Sequence, residues 1–79
     1  MKFRVYLTFN AETVREPIIW KLGREFDLVT NIRTAEVKDH KGLVGLELEG
    51  DDDVIDAAVK WLGEQGVHVE PIEQNIIEG

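Results

Sequence analysis

Apolar and polar residues alternate at the start of the chain, with Phe3, Val5, Leu7 and Phe9 separated by Arg4, Tyr6 and Thr8. A period of two in β-branched and aromatic residues predicts a strand with one buried face. Asn10 punctuates it, and Glu12 to Glu16 is too polar to assign to either kind of element. From Pro17 the period lengthens. Ile18, Ile19, Leu22 and Phe26 fall at helical spacing, which predicts a short helix from Pro17 to about Phe26. Proline suits the first helical position because its missing N–H would have no partner there. Gly23 costs such a helix up to ~1 kcal/mol relative to alanine, so a close backbone approach is expected at that point.

A second extended run spans Leu28 to Val37, with Val29, Ile32, Ala35 and Val37 as its apolar members. Its alternation slips by one between Ile32 and Ala35, which predicts a bulge or an irregular start. Asp39, His40, Lys41 and Gly42 read as a tight turn with Gly42 at positive φ. Val44, Leu46 and Leu48 then alternate with Gly45, Glu47 and Glu49, giving a third strand in a hairpin with the second. Asp51, Asp52 and Asp53 precede an apolar helical stripe of Val54, Ile55, Ala58, Val59, Trp61 and Leu62. An aspartate there is expected to cap the helix, and all three carboxylates suit the positive end of its dipole. This helix is predicted from about Asp52 to Gln65, with Gly66 as its left-handed C-terminal residue. Val67, Val69 and Ile72 supply a last strand ended by Pro71, and residues 73–79 read as a loose tail.

The predicted order is β-α-β-β-α-β, an α+β, ferredoxin-like pattern. Right-handed crossovers put both helices on one face of a four-stranded antiparallel sheet, with the first and third strands central. The second and fourth strands become edges. At 79 residues the chain forms a single domain, its core running from about residue 3 to 72.

Charge and composition narrow the partners. Nine Lys and Arg against sixteen Asp and Glu give a net charge of −7. Nucleic acid and anionic lipid are therefore disfavoured, since phosphate binding relies on a basic face. No apolar stretch approaches the ~20 residues needed to span a bilayer, so no membrane insertion is expected. Arg4 interrupts any apolar leader at the N-terminus, which makes a cytoplasmic protein the default. The absence of cysteine removes thiol catalysis, disulfides and thiolate metal sites. A chain this short often gains stability from a second subunit. The second strand, about Ile32 to Lys38, is the expected contact edge of a homodimer, because unpaired edge groups invite pairing.

Catalytic and metal chemistry find little support. His40 in the turn and His68 on the last strand lack the spacing of metal ligands. The triple aspartate lacks the alternating oxygens of a calcium loop. Glu47 and Glu49 read as two solvated carboxylates rather than an acid–base pair. There is no serine, and Thr8, Thr13, Thr30 and Thr34 read as ordinary strand or loop residues. No enzyme, cofactor or metal is predicted. Trp20 stands beside the stripe of the first helix and becomes a candidate partner contact if exposed. Asn31 stands at the opening of the second strand, where it can complete a turn with its own backbone.

The run Pro17-Ile18-Ile19, then Phe26, then Asn31-Ile32 resembles the NIL domain, named for an Asn-Ile-Leu motif. Gly42 before Val44, Leu46 and Leu48, then Gly50, then Ala58, Trp61 and Leu62, and finally Gly66-Val67-His68-Val69-Glu70 continue the likeness. It covers about Phe3 to Ile72, and Arg33 replaces the motif's leucine. The resemblance implies an ACT-like version of the fold derived above. It also implies an amino-acid-binding regulatory role, because NIL domains at the C-terminus of methionine importer ATPases bind L-methionine at a domain dimer and inhibit transport. Related domains are fused to ferredoxin modules in proteins linked to methionine biosynthesis, and this chain looks like a free-standing copy. By that likeness, L-methionine is the expected ligand, with Asn31 and the Ile32 backbone as its main polar contacts. Ile18 would form part of an apolar wall for the thioether, and Arg33 is a partner for the carboxylate if it points inward. The alternative is a ligand-free interaction module that docks on a methionine-pathway or iron–sulfur protein.

Overall fold

A computed structural model describes residues 1–72; the expected loose tail, 73–79, lies outside the described residues. Strand β1 (Lys2–Phe9) leads through a short 3₁₀ helix (Thr13–Arg15) to helix α1 (Ile18–Glu25). Strands β2 (Val29–Lys38) and β3 (Lys41–Glu49) form a hairpin, followed by helix α2 (Asp52–Glu64) and strand β4 (His68–Pro71). The four strands pair antiparallel in the order β2-β3-β1-β4. This is the predicted ferredoxin-like arrangement, with β1 and β3 central.

The cross-strand register assigns each residue to a face. Val5 lies opposite Leu46, Leu7 opposite Val44 and Phe3 opposite Leu48. These side chains meet Ile18 and Leu22 of α1 and Ile55, Ala58 and Leu62 of α2 in one core. Arg4, Tyr6 and Thr8 project to the other, outer face, beside Glu47, Gly45 and Leu43. Both stripes of apolar residues at helical spacing are thus spent on one side of the sheet.

The helix ends follow from local chemistry. Helix α2 closes with the 6→1 bond from Val67 N–H to the Leu62 carbonyl (3.1 Å) and the 5→2 bond from Gly66 N–H to the Gly63 carbonyl (3.1 Å). Gly66 takes the left-handed conformation this closure needs, at φ 88°. At the other end the capping expectation fails. Asp51 is the N-cap residue but makes no capping hydrogen bond with its side chain. Asp52 and Asp53 lie in the first turn, where their charges still meet the helix dipole. Pro17 precedes α1 rather than opening it, with ψ at 61°, outside the helical range. Gly23 meets nothing within 4 Å, so the expected close approach is absent and the residue is simply exposed on α1.

The polar stretch before α1 is ordered by Asn10. Its Oδ1 accepts the N–H of Glu12 (2.9 Å) and of Thr13 (2.8 Å), while Thr13 Oγ1 accepts the N–H of Asn10 (2.8 Å). Thr13 is buried, at 8% exposure, and not the ordinary loop threonine expected. The hairpin turn also differs. Asp39 (φ 55°) and His40 (φ 62°) occupy the left-handed positions of a two-residue loop between Lys38 and Lys41. Gly42 is already in β3, opposite Phe9 and Val37. A Cβ there would stand 3.2 Å from Val14 Cγ2, so this glycine supplies room and not a positive φ.

Candidate functional site

Strand β2 carries the residues that the sequence singled out, and it is the least covered element of the fold. Val29, Ile32 and Val37 are exposed, at 61%, 53% and 68%. The register puts Ile32 opposite Leu46 and Val37 opposite Gly42, on the face the helices occupy. The helices nevertheless leave this strand bare. An eight-residue helix is only ~12 Å long, too short to shield a ten-residue strand along its length.

The predicted slip is real: the ladder shifts register between Ile32 and Thr34, leaving Arg33 without an opposite residue. Asn31 lies opposite Glu47 in the ladder and so on the outer face; it completes no turn. Asn31, Ile32 and Arg33 are therefore consecutive on an open edge but face different sides of the sheet.

Cavities lie against this strand on both faces. On the helix face, a cavity of about 260 Å³ is lined by Phe9, Val14, Ile18, Trp20, Val37 and Val44 among others. It is almost wholly apolar. Trp20 is 62% exposed at its rim, with the Arg24 guanidinium 5.2 Å from the ring centre. On the outer face, a cavity of about 310 Å³ is lined by Arg4, Tyr6, Arg33, Thr34, Gly45 and Ile72, with Leu46.

Within one copy the four expected ligand residues do not share a cavity. Ile18 is buried and lines the helix-face cavity, while Arg33 lines the outer one. Asn31 and Ile32, next to Arg33 on β2, line neither. The polar faces of β1 and β3 form much of the outer cavity, and sequence reasoning passed them over. The alternation of Arg4 and Tyr6, with a glycine at position 45 among large residues, was the available signal.

Glu47 overturns the solvated-carboxylate expectation. It is only 8% exposed and accepts a hydrogen bond from Arg4 Nε at 3.0 Å. That bond holds its carboxyl below the ordinary 4.5 against the opposing effect of burial, with smaller help from the charges of Arg4, Lys2 and Arg33. Glu49 remains exposed, as expected. Among the described residues no group of His, Asp and Glu comes together that could hold a metal, and no helix is long and apolar enough to cross a membrane.

Comparison with known proteins agrees with this geometry. No curated protein matches the chain in sequence. Among solved structures, the C-terminal domain of an ABC transporter ATP-binding protein from Enterococcus faecalis superposes with a TM-score of 0.73 at 23% identity. The match covers 92% of this chain and 86% of that one, and it shows a shared fold. The family model of the NIL domain matches residues 4–71, nearly the whole described chain. The chain belongs to the NIL domain family.

Proposed function

We propose that this domain is a non-enzymatic, cytoplasmic regulator that senses L-methionine as a homodimer, in methionine transport or biosynthesis. Membership in a family of regulatory domains supports the regulatory part. The observation that carries the ligand reading is the separation along β2 of Asn31–Arg33 from the apolar cavity at Val37. A two-fold pairing of β2 edges centred on Ala35, with the extra residue Arg33 passed over as it is in the β2–β3 ladder, sets Ile32 of one copy against Val37 of the other and Asn31 against Lys38. Such an isologous contact brings the Asn-Ile end of one edge to the other copy's cavity, where Ile18 lies. It also covers Ile32 and Val37, which a lone copy leaves in water.

Methionine suits that junction. Its thioether needs an apolar wall, which Ile18, Trp20 and Val37 supply. Its ammonium and carboxylate need hydrogen-bonding partners in exchange for water: the Ile32 backbone offers them at the open edge, and Asn31, on the outer face, meets them around that edge. Calorimetric titration with free amino acids tests the reading. Methionine is expected to give saturable heat, and Asn31→Ala to weaken it by about 1 kcal/mol or more. Absence of heat at millimolar methionine would turn the reading over to a docking module, for which exposed Trp20 beside Arg24 is the natural contact.

A further inference from the structure

Neither helix covers the outer face of the sheet, and the cavity there differs in kind from the apolar one. Its walls carry two guanidinium groups, Arg4 and Arg33, in a chain whose net charge is −7. Arg4 is committed to Glu47, its Nε donating at 3.0 Å. Arg33 is not: among the described residues no carboxylate lies within ion-pair distance of it. The bulge explains where Arg33 sits. Extra residues of this kind re-aim a side chain away from the ladder, and here the re-aimed side chain lines the cleft.

Gly45 forms the floor. It is paired with Tyr6 on one side and Thr34 on the other, and a Cβ there would lie 2.7 Å from Thr34 Oγ1 and 3.3 Å from Tyr6 Cε1. A hydroxyl and an aromatic ring therefore converge over a residue with no side chain. Tyr6 keeps 40% of its surface exposed, so part of its ring is free to meet a ligand. Among the lining residues Arg4 is paired with Glu47, which leaves Arg33 as the guanidinium without an ion pair; Glu70, opposite Tyr6 on the same face, stands outside the lining.

We propose that this cleft binds the carboxylate of a small, flat organic acid, with Arg33 pairing to the carboxylate and Tyr6 stacking on the body. The guanidinium fork matches a carboxylate with two parallel N–H···O bonds. Thr34 adds a hydroxyl donor near the floor. A volume of about 310 Å³ is at the small end of ligand sites, which suits a compact acid. The chain's overall negative charge opposes anions at long range, so binding is weak and loosened further by salt. This site is complete in one copy. It rests neither on methionine binding nor on pairing of β2 edges.

Benzoate is the probe, with neutral benzamide as its control. Amide-resolved NMR titration of the full chain at about 10 mM ligand resolves millimolar affinity. Benzoate is expected to move the resonances of Tyr6, Arg33, Thr34 and Gly45, and benzamide to leave them in place. Arg33→Gln, an exposed and structurally mild change, is expected to weaken benzoate about tenfold or more, the weight of a hydrogen bond between charged groups. Val37→Glu blocks edge pairing on the other face and is expected to leave benzoate affinity unchanged, which separates this site from the dimer reading. The proposal is overturned by equal responses to benzamide, by shifts confined to other residues, by the absence of any response, or by an Arg33→Gln variant that binds as wild type does.

Discussion

Replacing Gly45 by alanine tests whether a glycine in mid-strand is there for space or for backbone freedom. Gly66 is the glycine with positive φ, so the backbone at Gly45 accepts an L-residue. What forbids it is the neighbours. The new Cβ would stand 2.7 Å from Thr34 Oγ1 and 3.3 Å from Tyr6 Cε1. Thr34 is β-branched and stiff at χ1, so it must change rotamer or the strands must part. Overpacking of this kind costs about 1–3 kcal/mol, against a gain of about 0.4–1 kcal/mol from a less flexible unfolded chain. The net expectation is a loss of about 1–2 kcal/mol, or several degrees in Tm for a domain of this size. In a Thr34→Ala background the principal clash is gone and Tyr6 has only to give slightly. Gly45→Ala is then expected to be neutral or stabilising, by up to ~1 kcal/mol. Urea unfolding of the four proteins of this cycle, at one protein concentration, reads the coupling from the midpoints provided that m is unchanged. Equal cost in both backgrounds would refute the steric account of Gly45.

The turn gives a prediction of opposite sign. His40 holds φ at 62°, where a non-glycine residue costs about 1–2 kcal/mol, so His40→Gly is expected to stabilise by about 0.5–1 kcal/mol after the entropy of the added glycine. A lowered urea midpoint would contradict that. Glu47 supplies a pH dependence. Its folded-state carboxyl titrates below the ordinary 4.5, so its contribution is present above that value and is lost as pH falls through the lowered one. Glu47→Gln is expected to narrow the drop in unfolding midpoint between neutral and acid pH, and an unchanged drop would remove Glu47 from the account.

The sequence made the element order legible because each change of period is long enough to read, from β1 at two to α1 at near four. The bulge was legible as well, since Ile32 and Ala35 break the alternation by one residue. Gly66 was legible because a helix end and a left-handed residue coincide there. The turn was misread because glycine is the usual occupant of positive φ, whereas an Asp-His pair holds it here. The Glu47 environment depends on Arg4, 43 positions away, and no local pattern encodes that pairing. Exposure of β2 was half legible. Its place at an edge follows from the topology, but Ile32 and Val37 have core-like character and lie bare because the eight-residue α1 is too short to cover a ten-residue strand. Both cavities join segments far apart in the chain and become visible only in three dimensions.

Sedimentation velocity of the full chain across micromolar concentrations, with and without millimolar L-methionine, reads whether the ligand joins two copies of the domain. A ligand held between two copies must strengthen their association, because whatever binds the dimer preferentially shifts the equilibrium toward it by mass action. A concentration-dependent monomer–dimer boundary is expected, one that moves toward dimer when methionine is added, with a shift that Asn31→Ala diminishes. A monomeric sedimentation coefficient at every concentration, unmoved by methionine, would contradict it.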